Sequence, residues 1–346
     1  MEDALVATGP GRPQEAKANV RLVVVADPNF KQRYEAQLES QRCFAQRNGY
    51  PHTVLTGWEY RVCLQYRDFF FRKHCTIAEW MESLPPDSVV AVLDADVVAF
   101  VLDRGLGRWA RHGADVQLYE RITLPEIMAG NYMVRNTPFA RAFLRRWASY
   151  ARHKPLGFSS SDNGAIHLVV MEAVGVDGFK RCFSLYRSLT KPVTDLDDYW
   201  EFVKCTKDAL GPPRNWKAGN GSRLTVWPRA QFFAVDGVYL QKLGSPSIGP
   251  LMHHGMKERE HVTDYYYRNL SQCAVNPKVL RPAQHLGAVA LQLARMYPKF
   301  FRQGAGCRQC AECCVANFSC PPLEDSEEPL PQRNHTDSAT WPESPA

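Results

Sequence analysis

The sequence predicts an α/β protein in which a mixed, mostly parallel sheet is flanked by helices. The first observation is the order of elements near the N-terminus: a β-branched run at residues 21–27, helix formers at 30–47 and a short apolar run at 52–55. Strand, helix and strand in this order form a βαβ unit, which implies parallel strands. The second observation is an apolar run at 89–98 that two carboxylates interrupt, as expected where a buried strand reaches the edge of an open sheet.

The elements that follow continue this alternation. Residues 68–84 predict a helix that ends before Pro85-Pro86. The apolar run at 89–98, with its two carboxylates, then supplies the buried strand. Short strands are predicted at 115–119 and 132–135. The chain therefore alternates strands and helices over its first half.

Two helices with an apolar face come next. Thr137 is a good N-cap, Pro138 suits the first helical position, and apolar residues recur at helical spacing up to Tyr150. The following helix opens at residues 162–164, where Ser161 or Asp162 can cap the first turn.

The organisation predicted from composition is one main domain with appendages. We expect a disordered tail at 1–19, the α/β domain at 20–275, a helical and Cys-rich extension at 276–322, and a disordered tail at 323–346. Within these units, residues 190–250 are rich in Pro, Gly and Trp and are expected to form loops and short strands that cover the sheet. Residues 279–300 contain one amphipathic helix pattern.

Composition and charge exclude several classes of protein. The 346 residues are 45% hydrophobic and 23% charged, which is typical of a globular chain. The net charge of +6 is mild and no block of five or six basic residues occurs, so no nucleic-acid partner is predicted. No apolar run is long enough for a transmembrane helix, and the N-terminus lacks the apolar stretch of a signal peptide. Membrane attachment is expected only through an anchor that this sequence does not show.

The cysteines favour an oxidising compartment. The chain has 11 cysteines and four N-x-S/T sequons, at Asn220, Asn269, Asn317 and Asn334. The C-terminal cysteines are predicted to form disulfides, with a zinc site as the alternative, and they are Cys307, Cys310, Cys313, Cys314 and Cys320. The favoured location is the secretory pathway, in the Golgi lumen, and the alternative is the cytoplasm.

The pair Asp94 and Asp96 is the strongest candidate for a metal site. On an extended chain, alternation places both side chains on one side, where two carboxylates repel unless a cation lies between them. Oxygen ligands of this kind suit Mn²⁺ or Mg²⁺. The alternative is a pair of solvated aspartates in a turn.

A second cluster lies far along the chain. Neutral His253 or His254 can complete a metal site, Gly255 allows a ligand to approach the backbone closely, and Lys257 can neutralise a phosphate. The alternative is a polar turn with two exposed histidines.

Two further stretches carry polar groups that suit a sugar. Asp162 and Asn163, at a helix start, can grip sugar hydroxyls as well as cap the helix. Asn131, in the stretch 129–132, can place an amide near a bound donor or can belong to an ordinary turn.

The ordered series of motifs resembles a group of glycosyltransferases. The series runs through Asp94-x-Asp96, Ala129-Gly130-Asn131-Tyr132, Val134-x-Asn136-Thr137-x-Phe139-Ala140, Phe143-Leu144-x-x-Trp147-Ala148-x-Tyr150, residues 161–167 and His253-His254-Gly255-x-Lys257. Over residues 20–260 the chain resembles nucleotide-diphospho-sugar transferases of the DUF273 type, and more distantly the GMA12/MNN10 galactosyltransferases and the xyloglucan xylosyltransferases.

This resemblance implies a GT-A fold, a nucleotide-sugar donor and a divalent cation, typically Mn²⁺. Asp94 would contact the donor ribose and the metal region, Asp96 would bind the metal, and His253 is favoured over His254 as the third protein ligand. The remaining implied contacts are Lys257 with the diphosphate, Gly255 with the donor, Asn131 near the donor sugar, and Asp162 and Asn163 near the sugar and acceptor.

The function implied is a metal-dependent transfer of a hexose or pentose from a nucleotide-diphosphate sugar, expected to be a UDP-sugar, to a glycan or protein acceptor. We expect retention of configuration by front-face attack, with Asp162 as the alternative nucleophile. The first competing function is a haloacid-dehalogenase-type phosphatase that uses Asp94 as nucleophile and Asp96 as acid/base, with Lys191 and Asp197-Asp198 in its remaining motifs. The second is a non-catalytic module that binds a sugar or nucleotide.

Overall fold

The structure is a computed structural model, and it describes residues 19–121, 126–155, 161–189, 197–217, 221–228, 231–237 and 251–280. The strands are β1 Val20–Val25, β2 His52–Leu55, β3 Val89–Leu93, β4 Val98–Ala99, β5 Val116–Tyr119, β6 Tyr132–Arg135, β7 Asn215–Lys217, β8 Arg223–Trp227, β9 Ala234–Asp236, β10 Met252–His254, β11 Tyr267–Asn269 and β12 Ala274–Val275. The α-helices are α1 Pro28–Arg33, α2 Glu35–Asn48, α3 Phe69–Glu82, α4 Gly107–Ala110, α5 Pro138–Ser149, α6 Ser161–Val174, α7 Phe179–Arg187 and α8 Asp197–Leu210.

A seven-stranded mixed sheet organises these elements in the order β2-β1-β3-β6-β5-β8-β7. The strand β1 pairs in parallel with both β2 and β3, and β5 pairs in parallel with β8. The strand β6 runs antiparallel to both of its neighbours, and β7 runs antiparallel to β8. A mixed sheet flanked by helices is the predicted α/β class, which is confirmed.

Alternation along the buried strands divides the core into two layers. Val23 and Val25 of β1 belong to the layer that also contains buried side chains of α3, α5 and α6. Leu22 and Val24 of the same strand belong to the layer that contains side chains of α2 and of the second sheet. Side chains on a strand point alternately to opposite faces, so an almost continuous apolar run such as β1 is required where both faces are covered.

A second, three-stranded sheet positions the candidate site. After β3 the chain turns at residues 94–97, where the Val97 amide donates to the Asp94 carbonyl at 3.3 Å, and then enters β4. The strand β10 lies between β4, to which it is antiparallel, and β9, to which it is parallel. The antiparallel register sets His253 opposite Val98, so a segment from late in the chain lies beside the turn that follows β3.

Two helical predictions differ from the structure. The stretch 30–47 forms two helices rather than one, because Tyr34 adopts a non-helical conformation (φ −107°, ψ 27°) between α1 and α2. The region 190–250 contains the helix α8 in addition to the short strands β7, β8 and β9. The buried residues of α8 recur at helical spacing, from Tyr199 through Phe202 and Val203 to Thr206. The Pro and Gly residues on either side of this stretch hide the helical pattern in the sequence.

Three disulfides link the described elements: Cys43–Cys273, Cys63–Cys75 and Cys182–Cys205. Six of the 11 cysteines are thereby paired, and the C-terminal five lie outside the described residues, as do nearly all of the predicted tails and of the helix pattern at 279–300. Within the described part of the chain, no helix combines the length and the apolar character needed to cross a membrane.

Candidate active site

The turn that carries Asp94 and Asp96 is held from two sides. The Asp94 amide donates to the side-chain oxygen of Asn131 at 3.1 Å. On the other side, the Gln41 side-chain amide donates to the carbonyls of Asp94 at 3.1 Å and Val97 at 3.0 Å. The Met256 amide donates to the Asp96 carbonyl at 3.0 Å, which joins this turn to the segment after β10.

Asp94, Asp96 and His254 converge on one point. One ligand atom from each residue lies within 4.8 Å of the others, which makes them the metal-capable group found among the described residues. His254 Nε2 lies 3.5 Å from Asp94 Oδ2 and 3.4 Å from Asp96 Oδ1. The three side chains are only partly exposed, at 25%, 13% and 12%, so a bound group would reach them from one side.

The neighbouring His253 points away from this group, in contrast to the expectation that favoured it as the third ligand. Adjacent residues on β10 face opposite sides of the sheet. His253 is fully buried, its Nδ1 lies 2.6 Å from the Tyr266 hydroxyl, and its ring packs on Phe100 at 4.5 Å between centroids. The structure therefore places His254, not His253, beside the two carboxylates.

The electrostatics of the cluster favour positive charge at the point of convergence. Burial acts to lower the pKa of His254, but the carboxylates of Asp96, Asp236 and Asp94 raise it to about 10. Burial acts to raise the pKa of Asp94, but Lys73 and His254 hold it below its usual value. For Asp96, burial outweighs the lowering effect of His254 and, with the Asp94 charge, raises the pKa.

These residues fit a divalent cation. Two carboxylate oxygens and one imidazole nitrogen form a donor set that suits Mn²⁺, and Mg²⁺ less well because it prefers oxygen alone. Their ligand atoms lie within 4.8 Å of one another, so all three can face one cation.

A buried network lies behind Asp94. Lys73 of α3 is 2% exposed, and its Nζ lies 3.1 Å from Asp94 Oδ1 and 3.5 Å from Asp162 Oδ2. His74 Nε2 lies 2.9 Å from the same Asp162 oxygen, and His74 Nδ1 lies 2.9 Å from the Tyr132 hydroxyl. Burial lowers the pKa of His74 to about 4, so the neutral ring donates to the Asp162 carboxylate and accepts from Tyr132.

A second network lies behind His254. The Asp236 carboxylate oxygen Oδ1 lies 2.9 Å from His254 Nδ1, and Arg121 donates to that same oxygen at 3.1 Å. Arg121 also lies 3.1 Å from Glu126 and donates to the Asn163 side-chain oxygen at 3.3 Å. Burial acts to raise the pKa of Asp236, but Arg121 and His254 lower it, so its carboxylate stays ionised.

The other predicted site residues take distinct positions. Asn131 is fully buried, and its amide holds the Asp94 backbone rather than facing solvent. Asp162 is 2% exposed and reaches the cluster through Lys73. Gly255 has a positive φ of 82°. Lys257 is exposed, and its charge acts to lower the pKa of Asp96 against the larger effect of burial.

Five charged or titratable residues of these networks were not predicted from the sequence: Lys73, His74, Arg121, Glu126 and Asp236. Lys73 and His74 lie in a helix that was predicted, and a Lys-His pair in the middle of an apolar helix is a signal that a buried partner exists. Asp236 is the last residue of β9 and comes directly after apolar residues, in the same way that Asp94 comes directly after β3. Arg121 carried no such signal, because its partners Asp236 and Asn163 come from distant parts of the chain.

Comparisons with known proteins place the chain in a family. Among solved structures, it is similar to the "crystal structure of a glycosyltransferase involved in the glycosylation of the major capsid of PBCV-1", with 14% sequence identity and a TM-score of 0.34, over 54% of this chain and 89% of that chain. That likeness is too low to assign a fold or an activity. No curated protein matches the chain. The family described as "Protein of unknown function, DUF273" matches residues 41–265, in agreement with the resemblance drawn from the motifs, and the chain belongs to this family.

Proposed function

We propose that the protein is a metal-dependent glycosyltransferase that moves a hexose or pentose from a nucleotide-diphosphate sugar, with a UDP-sugar as the first candidate donor. The observation that carries the proposal is the convergence of Asp94, Asp96 and His254 where β3 ends. In open α/β sheets, ligands bind at this edge. The order of motifs that surrounds the cluster supports a nucleotide-sugar donor, in a GT-A arrangement, over other phosphate-bearing ligands.

Asp94, Asp96 and His254 would hold the cation. A divalent cation in this position supplies Lewis acidity that stabilises the negative charge on a departing nucleoside diphosphate. Lys257 is exposed next to Asp96 and can contact the diphosphate, and Gly255 lets that group approach the backbone closely. Mn²⁺ is the favoured ion, and Mg²⁺ is the alternative.

The network behind Asp94 supports front-face attack with retention of configuration. Asp162 is the alternative nucleophile, but its carboxylate is almost fully buried and is bound by Lys73 and His74. A group held in this way positions its neighbours and is poorly placed to attack an anomeric carbon. In the proposed mechanism, Asp162 fixes Lys73, and Lys73 fixes Asp94 in its ionised form.

The surroundings of the enzyme follow from the disulfides. Three disulfides among the described residues indicate an oxidising environment. We therefore propose the secretory pathway, with the Golgi lumen as the site of action, and a glycan or glycoprotein as the acceptor.

The test is a panel of nucleotide sugars, with Mn²⁺, scored for release of free nucleoside diphosphate. We expect turnover with at least one donor and its loss in excess EDTA and in Asp96→Ala. Asp103→Ala is the matched control, because Asp103 is an exposed aspartate, 83% accessible, whose partner is the exposed Arg47. Unchanged turnover in Asp96→Ala would overturn the metal mechanism. Hydrolysis of a simple aryl phosphate that Asp94→Asn abolishes would favour a phosphatase instead.

A further inference from the structure

The sequon at residues 269–271 lies in a described part of the structure, at the end of β11 where the chain turns towards β12. Asn269 and Ser271 are exposed, whereas the residue between them, Leu270, packs partly into the core. Because Leu270 packs inward, Asn269 and Ser271, the two recognition residues of the sequon, both lie on the exposed side of the turn.

The two recognition residues also contact each other. The Ser271 hydroxyl donates to the side-chain oxygen of Asn269 at 2.8 Å, and the Gln272 amide donates to the same oxygen at 3.2 Å. Both contacts engage the amide oxygen of Asn269. Asn269 is exposed, and no described residue accepts a hydrogen bond from its side-chain nitrogen.

The turn that carries the sequon is fixed in place by a disulfide. Cys273, two residues after Ser271, is bonded to Cys43 of α2. Tyr267, two residues before Asn269, donates its hydroxyl to the Ala99 carbonyl at 2.5 Å. A disulfide at this turn indicates that the chain folds in an oxidising compartment. In eukaryotic cells the same compartment carries out N-glycosylation of sequons on exposed turns.

We propose that Asn269 carries an N-linked glycan in the mature protein. In the modification step, the Asn269 side-chain nitrogen bonds to C1 of an oligosaccharide that is carried on a lipid diphosphate. The bond from C1 to the diphosphate oxygen breaks, the lipid diphosphate leaves with the electron pair, and the amide nitrogen loses one proton. The glycan does not depend on the proposed transferase activity, because it requires only passage through the secretory pathway.

The test begins with the protein isolated from its own cells. Digestion with a peptide N-glycosidase in ¹⁸O-labelled water converts a glycosylated asparagine into labelled aspartate, which mass spectrometry locates. We expect label at Asn269, and we expect the same digestion to increase electrophoretic mobility. In the expressed full chain, Asn269→Gln and Ser271→Ala should abolish the label at this position. Ser271→Thr is the matched control, because it keeps the sequon, and it should retain the label.

An unlabelled Asn269 in the protein from its own cells overturns the proposal. A disulfide map of the same sample then shows the reason: intact disulfides mean that the sequon is not used, and reduced cysteines mean that the protein does not enter an oxidising compartment. Failure of the proposed glycosyl transfer is recognised separately, because nucleoside diphosphate release can be measured on the enzymatically deglycosylated protein.

Discussion

Gly130 lies so close to Asp94 that the absence of a side chain at this position shapes the candidate metal site. A Cβ at residue 130 would lie 2.0 Å from Asp94 Oδ2 and 2.6 Å from the end of Met128. Both contacts are with the ends of side chains, so an alanine is accommodated by moving the Asp94 carboxylate rather than by moving the backbone.

Gly130→Ala is therefore expected to weaken Mn²⁺ affinity by roughly tenfold or more, because one ligand is displaced, as for other changes that disturb ligand orientation. Mn²⁺ titration followed by electron paramagnetic resonance measures the effect. Gly107→Ala is the control, since its Cβ meets only the guanidinium end of Arg111, at 2.9 Å. Equal affinities in the two variants would show that Asp94 does not need this space.

Asp236 determines how His254 presents its second nitrogen. The contact between Asp236 Oδ1 and His254 Nδ1 leaves Nε2 directed at Asp94 and Asp96. Carboxylate partners of this kind raise the basicity of a metal-binding histidine and fix its orientation.

We expect Asp236→Asn to weaken Mn²⁺ affinity by about 10- to 100-fold, in the range usual for such partners. Asp208→Asn, in an exposed pair with Lys204, removes the same charge away from the site and should leave affinity unchanged. The same titration compares the two variants. If Asp236→Asn binds Mn²⁺ as tightly as the unmodified protein does, the proposed role of Asp236 is wrong.

At the scale of elements, one buried lysine connects a helix, a strand end and a second helix. Lys73 of α3 contacts Asp94 after β3 and Asp162 of α6. Removing one member of a buried ionic group costs about 3–5 kcal/mol, because the remaining charges stay buried without compensation.

Lys73→Met is accordingly expected to reduce the free energy of unfolding by about 3 kcal/mol. The double variant Lys73→Met/Asp162→Asn should recover part of that loss, because it removes one of the two uncompensated carboxylates. Lys204→Met, in an exposed pair, should cost less than about 1 kcal/mol. Denaturation by urea measures all three, and a loss no larger for Lys73→Met than for Lys204→Met would contradict this role.

The elements that the sequence predicts best are those with a strong local signal. The strands at 89–93 and 132–135 and the helix after Thr137 follow from apolar runs and a cap, and the structure contains all three. The small sheet β4-β10-β9 could not be predicted, because its strands are only two or three residues long and its pairing joins distant segments. That pairing also decides which histidine faces the carboxylates.

At the scale of the whole molecule, three histidines in buried or partly buried positions set the response to acid. Burial lowers the pKa of His52 to about 4, of His74 to about 4 and of His167 to about 3. Below the unfolded value of 6.5, the unfolded chain binds protons that the folded chain does not. Their contribution to stability is therefore complete above pH 6.5 and is lost as the pH falls towards 4.

We expect the free energy of unfolding to fall between pH 6.5 and pH 4.5 by up to about 1.4 kcal/mol per pH unit for each of these histidines. The raised pKa values of Asp96, Glu126 and His254 oppose part of this loss. Urea denaturation across this range measures how steeply the free energy of unfolding changes with pH. His167→Gln removes one titrating ring and should reduce that slope by up to about 1.4 kcal/mol per pH unit. A stability that is independent of pH over this range would contradict the buried, neutral state of these rings.

The site as a whole was only partly predictable, for a physical reason. Carboxylates at a strand end are visible in the sequence, because local hydrophobicity stops at them. The groups behind the site are harder to predict, since Lys73 and Asp236 leave only a local signal and Arg121 leaves none, and only tertiary contacts show that Lys73 meets Asp94 and that Arg121 and Asp236 support His254. The choice between His253 and His254 likewise depends on which face of β10 meets the turn after β3.

The most direct test of the proposed metal site is the binding of Mn²⁺ to the unmodified protein, His254→Ala and His253→Phe, measured by electron paramagnetic resonance with UDP present. We expect one site in the unmodified protein, its loss in His254→Ala, and its retention in His253→Phe, which keeps the packing of a buried ring against Phe100. Unchanged binding in His254→Ala, or loss of binding in a folded His253→Phe, would contradict this expectation.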